Sequence, residues 1–346
     1  MKLLFVGETW QGAQARSLRE ALTRRDDITI ADVSLGHLMP RRADIRARIV
    51  RRFTRRAEHA ALKREVLHQF DDFEPDIVMI YKGVQFDADF IDGLRRRSVR
   101  VVNVFPDYSP HAFGDDLAAA IGAYDLVIST KTFHPDRWSS IYGYSNRCVC
   151  VPHGYDPQLH FRSDIAGEPA FDVVLVASGR PEYYEMIDAL IAQHRMADLR
   201  VAIVGNSWEP IVGRLPAGWR KFPGKFGVSY VDWLRRGRIV LAPLHTRVVV
   251  KGVLQPGDVD TARTYELAAA YAFFIHRRTP ALAALYDEDR EVPTFDDVPE
   301  LAAKILHYLD HDDERVAMAH AAHARAVPAY SFDARAAEIK TWLDTL

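Results

Sequence analysis

Short apolar runs alternate with helix-patterned stretches over almost the whole chain, and that order constrains the fold more than any other feature. In the first half the runs are Lys2–Val6, Ile28–Val33, Ile77–Tyr81, Val99–Val104, Leu126–Ser129 and Cys148–Val151. Stretches of helical character separate them, among them Ala13–Leu22, Arg42–Phe70 and Ala88–Arg97. In the second half the runs are Asp172–Ala177, Leu199–Val204, Ile239–Leu241 and Phe273–Ile275. Apolar runs joined by helices predict parallel strands covered on both faces. The fold class is therefore α/β, with two doubly wound units. No repeat, low-complexity segment or long linker intervenes, so the boundary is expected in a short loop. Pro152-His153-Gly154-Tyr155-Asp156-Pro157, dense in turn formers straight after a strand, is the expected place.

A chain of 346 residues, 48% hydrophobic and 27% charged, can support two ordinary cores. Lys2 is followed only by Leu3-Leu4-Phe5-Val6 before Gly7 and Glu8, so no signal segment is read, and the apolar runs are far shorter than a membrane span. Cys148 and Cys150, two apart on a strand, point the same way and are expected in a core. A bridge between them would be strained, and two cysteines are too few for a stapled secreted fold. The cytoplasm is the expected compartment, with a peripheral place on the inner membrane face as a variant of it.

Gly257 to Pro280 carries the densest chemistry. Asp258, Arg263 and Glu266 fall at the start of a helix that Asp260 or Thr261 can cap and that runs into Phe273-Phe274-Ile275. Arg263 and Glu266, three apart, share a helical face. A carboxylate there can accept hydrogen bonds from a vicinal diol such as a ribose, while the helix start and a guanidinium favour a diphosphate. The same residues also fit an exposed Arg–Glu pair on a helix with acids at its N-terminus.

Thr261, Arg263, Tyr265 and Glu266, then Leu282-Ala283-Ala284-Leu285-Tyr286 and Thr294-Phe295-Asp296-Asp297, resemble the C-terminal half of CgeB-like (spore-maturation-type) glycosyltransferases, relatives of the large retaining GT-B group. The resemblance extends over most of the chain. It departs from the pattern twice. The paired glutamates of the wider family appear here as Asp258 and Glu266, the first one methylene shorter, and Tyr271 stands where relatives close the helix with glycine. The resemblance implies a GT-B fold, two Rossmann-like domains facing a central cleft. It implies an N-terminal acceptor-side domain over 1–155, rejoined by the C-terminal helix 331–346, and a nucleotide-sugar donor domain over 156–330.

Gly7 to Gly12 follows the first strand and precedes a helix, so backbone amides could face a ligand there, although the spacing is not G-x-G-x-x-G. Ser178-Gly179-Arg180 holds the equivalent place in the second half and, with Pro181 and Glu182, resembles the family's G-x-x-P-E segment. Gly179 permits close backbone approach and Arg180 could neutralise diphosphate charge. Asn206, in a loop after a strand, and Phe222, in Phe222-Pro223-Gly224-Lys225, match the segments that relatives place near the nucleotide, and Lys131 matches a T-K pair. Asp107 and His111 lie after the fourth strand, where a doubly wound sheet opens; His suits proton transfer near neutrality and Asp can orient it or bind an acceptor hydroxyl. Metal binding is not expected: no His-x-x-x-His, Cys-x-x-Cys or clustered acidic spacing is read, Asp115-Asp116 reads as a helix start, and GT-B enzymes as a class rely on helix dipoles and basic side chains.

Arg41 to Arg64 holds ten Lys/Arg against Asp44 and Glu58. Ile45, Ile49, Val50, Phe53 and Ala57 would form an apolar stripe flanked by arginines, a pattern that suits an anionic membrane surface or polymer and equally a packed surface helix. A net charge of −2 disfavours nucleic acid. The resulting expectation is a glycosyltransferase that moves a sugar from a nucleoside-diphosphate sugar to a glycan, lipid-linked or small-molecule acceptor, with retention and no required cofactor. Asp258, Arg263, His111 and Asp107 are the catalytic candidates. Glu266, Arg180, Gly179, Thr261, Tyr265, Gly7, Asn206 and Phe222 are the donor-binding candidates. A nucleotide-sugar epimerase on the same fold and a non-catalytic sugar-nucleotide or polymer binder are the alternatives.

Overall fold

A computed structural model describes residues 1–35, 45–161, 169–250, 252–255 and 257–346. The chain splits into two compact units. One comprises Met1–Pro152, Val249–Pro256 and Arg335–Leu346, the other His153–Val248 and Gly257–Ala334.

The first unit is built on six parallel strands: β1 (Lys2–Gly7), β2 (Thr29–Ser34), β3 (Ile77–Tyr81), β4 (Arg100–Phe105), β5 (Leu126–Ser129) and β6 (Arg147–Cys150), in the order β2-β1-β3-β4-β5-β6. Leu3, Leu4 and Val6 of β1 and Val78, Met79 and Ile80 of β3 are fully buried, as strands covered on both faces require. The helices are α1 (Gln14–Thr23), α2 (Ile45–Phe73), α3 (Ala88–Arg95), α4 (Asp115–Ile121) and α5 (His134–Tyr142). Asp87 caps α3 by accepting from Phe90 N at 3.0 Å, and Asp115 and Asp116 both fall in the first turn of α4, where they complement the helix dipole.

In the second unit β7 (Phe171–Val176), β8 (Val201–Val204), β9 (Trp219–Phe222), β10 (Gly237–Ala242), β13 (Phe274–Arg277) and β14 (Thr294–Phe295) form a parallel sheet in the order β14-β13-β10-β7-β8-β9. A separate two-stranded sheet pairs β11 (Val248–Val250) with β12 (Val253–Gln255), and all of it but Val248 belongs to the first unit. The helices are α6 (Pro181–Ile191), α7 (Val228–Leu234), α8 (Ala262–Ala269), α9 (Pro280–Ala283), α10 (Val298–Asp310) and α11 (Asp312–Ala326), while α12 (Phe332–Leu343) belongs from Arg335 onward to the first unit. Alternate residues of β7 and β10 feed two cores. Val173, Leu175, Ile239 and Leu241 pack with Ile187 of α6 and Ile305 of α10, while Val174, Val176, Val240 and Ala242 pack with Trp233 of α7 and Leu267 of α8. Burying each such aliphatic side chain contributes roughly 1.5–3 kcal/mol.

Cys148 and Cys150 form no disulfide and are half-buried rather than fully enclosed, and burial pushes the Cys148 thiol up to about 12. Of the basic segment, Arg41, Arg42 and Asp44 lie outside the described residues, as do the side chains of Ile45, Arg48, Ile49, Val50, Arg51, Arg52 and Phe53. Ala57 of the expected stripe is exposed, and farther along α2 Leu62 and Val66 are buried. Arg55, Arg56 and Arg64 are exposed, whereas Lys63 pairs with Asp87. Among the described residues no helix is long and apolar enough to cross a membrane.

Candidate functional site

In the second sheet the strand order reverses between β7 and β10, and doubly wound sheets open toward ligands at the carboxyl ends of strands at such a switch point. The loop after β7 runs Ala177-Ser178-Gly179-Arg180 into α6. Gly179 N donates to Asn206 O at 2.8 Å. A Cβ on Gly179 would meet Ser207 O at 2.2 Å, and one on Gly205 would meet Ala177 O at 1.8 Å, so the two loops touch through positions only glycine can fill. Asn206 Oδ1 accepts from Gly224 N at 3.3 Å, which joins the loop after β9 to the row. Arg180, extended at the head of α6, lies with its guanidinium 5.2 Å from the Tyr183 ring centroid. Its Nε is buried without a hydrogen-bond partner, and it has no carboxylate partner among the described residues. Glu182, in the first turn of α6, turns toward the loop after β10. It accepts from Thr246 Oγ1 at 2.5 Å, His245 Nδ1 at 2.9 Å and Thr246 N at 3.0 Å. Burial alone would raise that carboxyl; these donors hold it below its ordinary value.

Thr261 heads α8 in a capping box with Thr264 and donates its backbone N–H to Thr264 Oγ1 at 3.1 Å. One turn on, Arg263 donates from Nη1 to Val176 O at 2.7 Å and from Nη2 to Pro243 O at 3.0 Å, so it joins the carboxyl ends of β7 and β10. Glu266 does not form the exposed pair with Arg263 that the sequence left open. It is only 6% exposed and accepts from Tyr230 OH at 2.8 Å. Its other oxygen lies 3.8 Å from His160 Nε2. Asp156 N donates to His160 Nδ1 at 3.1 Å, so the neutral ring carries its proton on Nε2, facing the carboxylate. Burial, and then the Glu266 charge, push the Tyr230 hydroxyl well above its ordinary value. Asp258 is half-buried and donates its N–H to His245 O at 2.9 Å, beside the loop that holds Glu182.

Two donor-binding candidates have side chains engaged elsewhere. Tyr265 is fully buried, its hydroxyl on Asp260 Oδ2 at 2.9 Å and its ring edge-on to Tyr330. Phe222 lies 4.5 Å, centroid to centroid, from Trp233, and its carbonyl accepts from Gly205 N at 3.0 Å. A surface concavity of about 680 Å³ runs along Arg278–Glu288 and Arg325, and no site residue read from the sequence lines it.

In the first unit Gly7 closes β1, and a Cβ there would meet the Phe5 ring at 2.7 Å and Ala15 at 3.1 Å. Asp107 does not orient His111. It pairs with Lys82 at 2.7 Å, whose ammonium also sits 3.8 Å over the Phe113 ring centroid. His111 stacks 5.7 Å from Tyr142 and 6.4 Å from Tyr144. Lys131 is buried. The expectation of no metal-ligand spacing needs correction: His307 and His311 form His-x-x-x-His, and with Glu314 they gather ligand atoms within 4.8 Å of one another. Lys82, His160 and Tyr230 carried no signal of their own in the sequence, because each acquires its partner from a distant segment.

The two parallel α/β sheets are those of the GT-B fold. Residues 180–341 match the family model described as Glycosyl transferase-like. Loops, α6 and α8 just described all fall within or beside that stretch. Anabaena HepE, solved in complex with UDP, superposes with a TM-score of 0.66 at 15% identity, covering 100% of both chains. Sucrose-phosphate synthase from Thermosynechococcus elongatus gives 0.68 at 12% identity, covering 100% of this chain and 98% of that one. A trehalose-6-phosphate synthase studied for glycosyl transfer with retention gives 0.65 at 14% identity over 100% and 99%. No curated protein sequence matches the chain.

Proposed function

We propose that the protein is a glycosyltransferase of the CgeB-like branch, hexosyltransferase in type, which transfers a sugar with retention from a nucleoside-diphosphate sugar. Residues 156–330 hold the donor; residues 1–155 with 331–346 hold the acceptor. The observation that carries this reading is Arg180, a guanidinium at a helix start with no anionic partner among the described residues and with its Nε buried. A half-buried guanidinium without an anionic partner can receive one, and a diphosphate is the anion that helix starts and guanidinium groups favour.

Arg263 has five N–H donors and spends two on carbonyls, so its charge also remains for the departing diphosphate. Glu266 accepts the ribose hydroxyls, with Tyr230 holding its orientation, and Asp258 meets the donor sugar. The Gly179 and Asn206 loops and the main chain near Phe222 place the nucleotide, with Thr261 and Tyr265 supporting α8. Gly7, Asp107 and His111 serve the acceptor. No bound cation is needed for the transfer. HepE was solved with UDP and with UDP-glucose, which makes uridine donors the first to test. The exposed arginines of α2 dock the protein on an anionic membrane surface or polymer.

The test is product analysis with a panel of UDP-sugars, with and without candidate acceptors and in excess chelator. Release of UDP that persists in chelator and rises with an acceptor is expected. Interconversion of the sugar without UDP release would make the protein an epimerase, and failure to bind any nucleotide would leave a non-catalytic polymer binder.

A further inference from the structure

We propose that the corner between α10 and α11 is a binding site for a divalent transition metal ion, held by His307, His311 and Glu314. The three side chains bring their ligand atoms within 4.8 Å of one another. His307 lies in the last turn of α10 and His311 directly follows its end, and their rings stack at 4.1 Å with 19° between planes. His311 Nδ1 lies 2.7 Å from His307 O. A carbonyl only accepts, so the proton sits on Nδ1 and the Nε2 lone pair is left for a ligand, the arrangement by which metal-binding imidazoles are oriented. His307 Nε2 lies 2.8 Å from Glu314 Oε2, and a bound cation would replace the proton shared there.

The corner is held in place before any ion arrives. Buried Arg315 donates from Nη1 to Tyr308 O at 2.7 Å and to Asp312 Oδ1 at 2.7 Å. Arg238 donates to Leu309 O at 2.7 Å and also pairs with Asp312. Two guanidinium groups therefore satisfy the last carbonyls of α10 and tie them to the first residue of α11. The last turn carrying His307 and the first turn carrying Glu314 thus need no ordering.

Two imidazoles and one carboxylate suit Zn²⁺, Ni²⁺ and Cu²⁺, while a single carboxylate is too little for Mg²⁺ or Ca²⁺. All three side chains are exposed, so the ion can enter and water can complete its shell. The site is separate from the candidate donor site. Arg238 is the second residue of β10 and Pro243 follows its end, about 16–17 Å away at roughly 3.3 Å per residue. The ion would staple α10 to α11 rather than take part in transfer.

The experiment uses the full chain, stripped with EDTA and desalted, titrated calorimetrically at neutral pH with Cu²⁺, Ni²⁺, Zn²⁺ and Mg²⁺. One equivalent should bind, Cu²⁺ most tightly, with no Mg²⁺ binding. Binding should weaken as the pH falls, because protons compete with the ion for the rings. His307→Ala with His311→Ala should weaken Zn²⁺ binding at least about tenfold, and the size-conserving His311→Gln should also weaken it. Melts of the stripped variants should match the stripped wild type, since the side chains are exposed. Unchanged binding in the double variant would place the ion on others of the 14 histidines and overturn the proposal. Half an equivalent with dimer formation would also overturn it, because the ion would then bridge two copies.

Discussion

Tyr271 decides how α8 ends, and it does so in a conformation that side chains rarely adopt. Its φ is +58°, the left-handed region, where a non-glycine residue costs roughly 1–2 kcal/mol. Tyr271 N bonds back to Ala268 O at 3.1 Å and Ala272 N to Leu267 O at 3.0 Å, so the helix closes as it would with glycine. The ring explains the tolerance: it stacks on His323 with centroids 3.5 Å apart, and His323 Nδ1 meets the terminal carbonyls of α8 at Ala268 and Ala269. The departure from the glycine of relatives therefore leaves the turn intact. Both Tyr271→Gly and Tyr271→Ala lose the stacking, but only alanine keeps the backbone penalty. Urea melts should show the alanine variant less stable than the glycine variant by about 1 kcal/mol or more. Equal stability would mean the left-handed turn is not what Tyr271 imposes.

Every strand read from the sequence forms, with ends shifted by a residue or two; the inner strands are apolar runs buried on both faces, while the edge strands β2 and β6 are partly exposed. The elements not read are those where that signal is absent. β9 is an edge strand in which Arg220 and Lys221 interrupt the run. β11, β12 and β14 are two or three residues long, too short to carry a period. The same contrast holds for the site. Arg263 and Glu266 were legible because helical spacing put them on one turn, yet their actual partners, the carbonyls at the ends of β7 and β10, Tyr230 and His160, come from elements distant in sequence. Of the expected stripe in the basic stretch of α2 only Ala57 has a described side chain, and it is exposed, while farther along the helix Leu62 and Val66 are buried.

For the molecule as a whole, buried imidazoles set the response to acid. Burial pushes His134 and His276 down to about 4. His134 is held between Ser129 Oγ at 2.6 Å and Tyr108 O at 3.0 Å, and His276 between Thr264 Oγ1 at 2.9 Å and Arg277 O at 2.7 Å. The unfolded chain takes up these protons near pH 6.5, before the folded one does. Stability is therefore fully present above about pH 6.5 and is lost as the pH falls toward 4, by a ceiling of about 3 kcal/mol for each histidine. Glu182, held low, adds to the loss in the same direction. Urea midpoints measured from pH 7.5 to 4.5 should fall steadily below 6.5; a flat profile would show that neither ring is kept neutral. The central claim is that the carboxyl ends of β7 and β10 bind a nucleotide through Glu266. Calorimetric titration of UDP into wild type and Glu266→Gln tests it most directly. Losing the charged acceptor should weaken binding by about 1.5–3 kcal/mol, roughly 10- to 150-fold. A 2′,3′-dideoxy nucleotide should bind the wild type weakly and show little further loss in the variant. Equal UDP affinity in the two proteins, both folded by their melts, would contradict the account.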